Sequence, residues 1–110
     1  MKPLKILFAD DDLKYSMLLK RFLEKEGYEV TYAGNGSIAI EQFPLVKPDL
    51  VLLDINMPGH NGFEVAERIR ETDKHVLIFF PTLDIKPTVC KVSSFVRMII
   101  LPNRFIRKNL

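Results

Sequence analysis

Short apolar runs alternate along the chain with longer segments that are apolar on one face only. The runs predict four strands, at Leu4–Ala9, Tyr28–Ala33, Leu50–Leu53 and His75–Phe80. The longer segments have apolar residues at helical spacing and predict helices at Leu13–Glu26, Ile38–Phe43 and from Phe63 to about Glu71. This alternation of strand and helix predicts an α/β fold with a parallel sheet and right-handed crossover connections.

Glycine, proline and small polar residues predict where the helices begin and end. Gly27 is expected to end the first helix because glycine tolerates the positive φ found there. Ser37 is the expected N-cap of the second helix, and Asn61 or its neighbour that of the third. Pro44 and Pro48 bracket the connection into the third strand. The inward-facing residues of the third helix are expected to be Phe63, Ala66 and Ile69.

Carboxylates stand at the ends of two of the predicted strands. Leu50–Leu53 is an unbroken aliphatic run, typical of a strand buried on both faces, and Asp54 follows it directly. Asp10 and Asp11 end the first strand in the same way. If the two strands are neighbours, two carboxylates ~5 Å apart repel by about 3 kcal/mol, so the group favours a cation. Oxygen ligands suit Mg²⁺, and the backbone carbonyl of Asn56 is a further candidate ligand.

Simpler interpretations of the same acids stay open at this point. Asp10–Asp12 has the composition of a helix N-terminus, where carboxylates cap free backbone N–H groups and favour the helix dipole. Asp54 alone has the position of a solvated strand end. His60 and His75 have no carboxylate or second histidine at ligand spacing and are expected to be surface groups.

Two segments around the acids resemble a known signalling family. Ile6–Asp12 and Leu52–Phe63, with the separation of 43 residues between Asp11 and Asp54, resemble the receiver domain of bacterial two-component response regulators. The resemblance covers about residues 4–82. It implies a flavodoxin-like, doubly wound sheet with strand order 2-1-3-4-5, in which strands one and three lie side by side at the ligand-binding edge.

The resemblance also implies roles for individual residues. Asp54 corresponds to the phosphoacceptor, which takes a phosphoryl group from the phosphohistidine of a sensor histidine kinase. Asp10 and Asp11 correspond to the acidic pair that holds Mg²⁺ with Asp54, and Asn56 to the residue that offers its carbonyl. Thr82 corresponds to the switch residue that hydrogen-bonds the phosphoryl group.

The C-terminal part departs from the family, which has a lysine at the end of the fifth strand. One alignment gives the lysine role to Lys108, and a rival alignment takes Met98–Pro102 as strand five and puts Leu101 at the lysine position. In both, strand five and the last helix are aberrant or missing. We therefore predict a receiver core at residues 1–82 and, at residues 83–110, an aberrant basic tail replacing helix 4, strand 5 and helix 5.

Net charge changes sign near the same point. Residues 1–80 contain 10 Lys/Arg and 13 Asp/Glu, whereas residues 81–110 contain six Lys/Arg and one acid. A frameshift is our hypothesis for the change. With permitted synonymous codons, the bases for Arg97–Leu110 read in a shifted frame give D-D-Y-I-T-K-P-F-Y-P-E-E-L, which resembles the family's fifth strand, lysine, proline and last helix. Sequencing the gene across the codons for Phe80–Leu83 tests this hypothesis, and bases unable to encode that signature would contradict it.

Composition narrows the classes of protein. A length of 110 residues with 47% hydrophobic and 27% charged residues indicates one globular domain. The single cysteine, Cys90, excludes an internal disulfide and fits a reducing compartment. The N-terminus lacks a signal-peptide pattern and no run reaches membrane-spanning length, so we expect a cytoplasmic protein. No helix-turn-helix follows the receiver pattern, so direct DNA binding is not supported.

Three functions remain after the sequence analysis. The first is a phosphoacceptor module in a phosphorelay, which is not an enzyme in its own right. The second is a non-phosphorylated interaction domain, in which loss of strand five exposes the edge of strand four and favours self-association. The third is an Mg²⁺ phosphohydrolase with an aspartyl-phosphate intermediate, although Asn56 stands where those enzymes have a second aspartate.

Overall fold

Strands and helices alternate strictly in the computed structural model, which describes residues 3–57, 59–81 and 88–109, with side chains described as far as residue 99. The strands are β1 Lys5–Ala9, β2 Glu29–Ala33, β3 Leu50–Leu53 and β4 Leu77–Phe79. The helices are α1 Leu13–Lys25, α2 Gly36–Val46, α3 Gly62–Thr72 and α4 Val89–Asn109. No helix in this described part of the chain is both long and apolar enough to cross a membrane.

The strands form one parallel sheet in the order β2-β1-β3-β4. In the register, Ala9 of β1 pairs with Ala33 of β2 on one side and with Leu53 of β3 on the other. The predicted α/β fold with strand order 2-1-3-4 is confirmed, and the described residues contain no fifth strand. Because β1 and β3 are neighbours in register, the residues that follow them emerge at the same sheet edge.

Helices cover both faces of the sheet, so β3 is fully buried, as its unbroken aliphatic sequence predicts. On one face, α2 and α3 pack against the sheet through a cluster that includes Leu7, Val51, Ala39, Phe43, Val65 and Ile69. On the other face, α1 and α4 pack through a cluster that includes Phe8, Leu52, Leu19, Leu23, Val92 and Val96. The result is a three-layer α/β/α arrangement.

Within the predicted tail, helix α4 docks on α1. Residues 98–102 lie within α4, so the interpretation of Met98–Pro102 as a fifth strand is wrong. The physical reason is an apolar stripe at helical spacing, Val89, Val92, Val96 and Ile99, that packs against α1 and the sheet. Polar contacts add to this packing, because Ser93 and Arg97 both donate hydrogen bonds to the Glu26 carboxylate at the end of α1.

Helix α2 is longer than expected at both ends. It begins at Gly36 and its N-cap is Asn35 rather than Ser37, because the Asn35 side chain accepts a hydrogen bond from the Ile38 N–H at 2.9 Å. It also continues past Pro44 to Val46. Proline removes one backbone donor, and near a helix end this costs a single hydrogen bond.

The predicted inner face of helix α3 is confirmed for Ile69 and for Ala66, which packs partly buried against the same cluster, but it is wrong for Phe63. Val65 and Ile69 are buried, whereas Phe63 is 50% exposed and instead contacts Phe80, with 4.9 Å between ring centroids. The predicted start is confirmed, since Asn61 caps the helix in a reciprocal capping box with Glu64.

Candidate functional site

The carboxyl edge of β1 and β3 brings three carboxylates together. The Asp54 N–H donates to the Ala9 carbonyl at 3.0 Å, and the Asp10 N–H donates to the Ala33 carbonyl at 3.2 Å, so both residues continue the sheet's hydrogen bonding. Carboxylate oxygens of Asp10, Asp11 and Asp54 all lie within 4.8 Å of one another. The convergence that the sequence predicts is therefore present.

The three carboxylates differ in their exposure to solvent. Asp10 is 2% exposed and Asp54 is 9% exposed, whereas Asp11 lies at the surface. Like charges this close repel by about 3 kcal/mol per pair at an effective dielectric of 20, and burial adds a desolvation cost for ionised groups. A hard divalent cation held by oxygen ligands relieves both costs, so this donor set fits Mg²⁺. The exposed Asp11 marks the side from which solvent reaches the site.

Asp12 has a separate task from its two neighbours. It is the N-cap of α1, and its side chain accepts a hydrogen bond from the Tyr15 N–H at 3.1 Å. The Asp12 N–H in turn donates to the Asp10 carboxylate at 2.9 Å, which orients that carboxylate. The capping interpretation therefore holds for Asp12, while Asp10 and Asp11 belong to the carboxylate group with Asp54.

The chain after Asp54 is shaped by a glycine that the sequence reasoning missed. The Gly62 N–H donates to the Ile55 carbonyl at 2.9 Å, which closes the loop back onto the end of β3. A Cβ atom on Gly62 would lie 2.4 Å from the Asp54 carbonyl oxygen. Only glycine allows this close approach of α3 to the strand end. The sequence signal was a glycine directly after the Asn61 cap, where helix formers are usual.

The other predicted site residues, Asn56, Thr82 and Lys108, follow β3 or lie further along the chain. Asn56 lies at the surface two residues after Asp54, as expected for a loop that leaves the site. Thr82 lies outside the described residues. Lys108 falls in the last turn of α4, and its side chain lies outside the described part, so its role stays a prediction. His60 approaches Glu64, with 3.9 Å between Nδ1 and Oε2, and is not a member of the carboxylate group.

Comparison with known sequences decides the family. The profile of the response regulator receiver domain matches residues 6–94, which include both acidic segments of the site. The chain belongs to the receiver-domain family. The match reaches past residue 82 into the first turns of α4.

Curated relatives of this receiver domain include a phosphotransferase and a transcriptional regulatory protein. It is 37% identical over 78 residues to the sporulation initiation phosphotransferase F of Bacillus subtilis, with 71% of this chain and 63% of the relative covered. It is 38% identical over 81 residues to the transcriptional regulatory protein TrcR of Mycobacterium tuberculosis, with 74% of this chain and 30% of the relative covered. The chain thus spans less than two thirds of the length of either relative.

Solved structures of receivers have the same fold. The response regulator TrrA of Thermotoga maritima, crystallised in complex with Mg(2+)-BeF, is 41% identical and superposes with a TM-score of 0.67, covering 73% of this chain and 71% of TrrA. TrrA in complex with the histidine kinase ThkA gives 44% identity and a TM-score of 0.66, with 70% and 66% covered.

Proposed function

We propose that this receiver domain accepts a phosphoryl group on Asp54 from the phosphohistidine of a sensor histidine kinase. The observation that carries the proposal is the group of three carboxylates within 4.8 Å at the edge of β1 and β3. Asp54 is the member that directly follows the buried β3, and its N–H donates a hydrogen bond to the Ala9 carbonyl. The similarity to TrrA, which was crystallised with Mg(2+)-BeF and with a histidine kinase, supports the proposed phosphoryl transfer to Asp54.

The transfer chemistry follows from a carboxylate nucleophile. An Asp54 carboxylate oxygen attacks phosphorus, a P–O bond forms, and the P–N bond of the phosphohistidine breaks with its electron pair going to the imidazole nitrogen. The product is an aspartyl phosphate. Bound Mg²⁺ supplies charge neutralisation for the phosphoryl oxygens. We propose that Asp10, Asp11 and Asp54, with the Asn56 backbone carbonyl, hold this ion.

Two further residues belong to the proposal through the family resemblance alone. Thr82 is proposed to donate a hydrogen bond to the phosphoryl group and so to couple phosphorylation to a conformational change. Lys108 is the proposed counterpart of the family's lysine. The cytoplasmic location expected from the sequence is likewise part of the proposal, because the kinase must present its phosphohistidine to Asp54.

The surface proposed to meet the kinase is the exposed start of α1. Leu13 and Met17 lie one helical turn apart and are 62% and 40% exposed, on the helix that begins beside Asp11. Exposed apolar residues beside a reactive group are typical of an interaction site. Docking there would bring a partner's phosphohistidine next to Asp54.

A charge-introducing variant tests the docking surface. We expect Leu13→Lys with Met17→Lys to lower phosphoryl transfer from an autophosphorylated kinase at least tenfold, because a cationic patch replaces the apolar contact. Labelling by acetyl phosphate, which needs no docking, should be unchanged. Leu45→Lys is the control. Leu45 is 75% exposed near the end of α2, and α2 leads into the start of β3, at the sheet edge opposite Asp54. Each histidine kinase of the source organism serves as donor in turn, and transfer from none would contradict the kinase partnership.

Labelling with a small phosphodonor tests the proposed function itself. We expect radiolabelled acetyl phosphate to label the wild-type chain only when Mg²⁺ is present, and Asp54→Asn to abolish the label. The bond should be lost in alkali, as an acyl phosphate is. Equal labelling of wild type and Asp54→Asn would contradict the proposal, and absence of all labelling would favour the alternative of a non-phosphorylated interaction domain.

A phosphohydrolase is the alternative with enzyme turnover. Such an enzyme needs an acid/base two residues after its aspartate, and the Asn56 side chain cannot take a proton from water or donate one as a carboxyl does. We therefore propose a signalling module without phosphate-ester turnover. Sustained release of phosphate from p-nitrophenyl phosphate, lost in Asp54→Asn, would contradict this part of the proposal.

A further inference from the structure

The strand β4 forms one edge of the sheet and is much less buried than its neighbour. Its three residues, Leu77–Phe79, are all half-buried, whereas every residue of β3 is buried. In the described residues no strand pairs with the outer side of β4. Unpaired backbone donors and acceptors on an edge strand are a template for pairing with another chain.

On the side of the sheet covered by α3, the surface next to β4 is apolar. Phe63 is 50% exposed and packs on Phe80, and both line a groove of about 670 Å³ together with Ala66. The groove runs along α3 next to β4. A partner element that fills it would remove two aromatic rings from water.

On the other side of the sheet, covered by α4, the surface next to β4 is apolar as well. Phe79 of β4 contacts Phe95 of α4 edge to face, with 6.0 Å between ring centroids. Phe95 remains 36% exposed, and Met98, one turn further along α4, is 70% exposed. Apolar side chains therefore flank the open strand on both faces of the sheet.

The charges that border the groove indicate which partner fits it. Along α3 and just beyond, the rim residues in order are Glu67, Arg70, Glu71 and Lys74, so the signs alternate. When this pattern is placed antiparallel to a copy of itself, Glu67 comes opposite Lys74 and Arg70 opposite Glu71. Every acid then meets a base, so the charge pattern is self-complementary, as a two-fold contact between identical chains favours.

We propose that the β4 edge and its two apolar flanks bind a second copy of this chain, with the two β4 strands antiparallel about a two-fold axis at Ile78. The four described strands of each copy then form one sheet of eight strands. Leu77 lies opposite Phe79 of the partner subunit, and cross-strand pairs of an aliphatic with an aromatic residue stabilise antiparallel contacts. On the two faces, the grooves beside α3 and the Phe95–Met98 surfaces of α4 come together.

Two exposed positions allow the surface to be altered without touching the core. We expect the wild-type chain to show a concentration-dependent monomer–dimer equilibrium in sedimentation velocity. Phe63→Lys combined with Met98→Lys should weaken dimerisation at least tenfold. Leu45→Lys adds one such charge at a 75% exposed position on α2, outside the contact, and should leave the equilibrium unchanged. Circular dichroism of each variant verifies that it is folded.

A cross-link at the two-fold axis tests the strand pairing directly. Opposite residues of an antiparallel pair have Cα atoms about 4.5–5.5 Å apart, within the range of a disulfide. In a Cys90→Ser background, which removes the exposed native thiol, Ile78→Cys should form a covalent dimer on mild oxidation with diamide. Thr31→Cys on β2, the other sheet edge, should not.

The proposal is independent of the phosphoacceptor, because no residue of the contact belongs to the carboxylate group. Asp54→Asn should therefore dimerise as the wild type does, whether or not Asp54 accepts a phosphoryl group. A chain that stays monomeric up to its solubility limit would overturn the proposal. A dimer of undiminished strength in the Phe63→Lys, Met98→Lys variant, or a cross-link through Thr31→Cys instead of Ile78→Cys, would overturn it too.

Discussion

At the scale of single residues, the site depends on which acid does what. Asp10, Asp11 and Asp12 are adjacent in sequence, yet two of them join Asp54 and the third caps α1. The sequence predicts that Asp10, Asp11 and Asp54 converge if β1 and β3 are neighbours, because Asp10 and Asp54 directly follow apolar strands and parallel strands end at a common edge. It leaves open which acid caps the helix, since that depends on the chain direction after β1.

The different positions of Asp11 and Asp12 give a prediction for Mg²⁺ binding. Asp11→Asn should weaken Mg²⁺ binding at least tenfold, about 1.4 kcal/mol, because one of the three proposed anionic ligands is lost. Without metal, the same variant should be more stable than the wild type, since a like charge has left the cluster. Calorimetric titration and thermal unfolding with and without Mg²⁺ measure the two effects.

Asp12→Asn is the control for this prediction. It removes the same unit of charge one residue away, and asparagine is as good an N-cap as aspartate. Its Mg²⁺ affinity should stay within about threefold of the wild type, since the long-range effect of one exposed charge is small at effective dielectrics near that of water. Equal loss of affinity in both variants would show that net charge, rather than ligation by Asp11, determines binding.

Gly62 is the residue that sequence reasoning passed over, and it gives a second prediction. Gly62→Ala should lower the free energy of unfolding by roughly 1–3 kcal/mol, because its Cβ meets the Asp54 carbonyl oxygen at 2.4 Å and the strand end must move. Labelling by acetyl phosphate should fall with it. At Gly34 an added Cβ has only an ordinary contact of 3.8 Å, so Gly34→Ala should stay within about 0.5 kcal/mol.

At the scale of elements, the strands were predictable and the last helix was not. Short apolar runs identified β1 and β3, and the run of β3 is unbroken and aliphatic because burial on both faces leaves no room for polar residues. The stripe Val89, Val92, Val96 and Ile99 is also visible in the sequence, but the family's strand–helix order suggested a strand at Met98–Pro102. The helical spacing of these apolar residues predicted the structure better than the family's order of elements, because a helix with one apolar face is stable wherever that face can pack on a surface.

The docking of α4 on α1 can be measured. Val92→Ala and Val96→Ala should each lower the free energy of unfolding by roughly 1–3 kcal/mol, because both side chains are fully buried. Met98→Ala lies on the same helix with Met98 70% exposed, and should change it by less than about 0.5 kcal/mol. Urea unfolding monitored by circular dichroism gives these values. Three equal, near-zero changes would mean that α4 does not pack on α1 in solution.

At the scale of the whole molecule, the sheet order explains the site. Placing β1 next to β3 brings Asp10 and Asp54 to one edge, while α1 and α3 begin at that edge and close it from both faces. The sheet order followed from the family resemblance, since strand periodicity alone does not say which strands are neighbours. The proposed self-association through β4 also concerns the whole molecule, and it leaves the sheet edge with the carboxylates unaltered.

Mapping the modified residue determines whether Asp54 accepts the phosphoryl group, as we propose. After incubation with acetyl phosphate and Mg²⁺, borohydride reduces an aspartyl phosphate to homoserine, which mass spectrometry of peptides locates. We predict homoserine at Asp54 alone, and none when Mg²⁺ is chelated. Homoserine at Asp10 or Asp11, or its formation without Mg²⁺, would contradict the account.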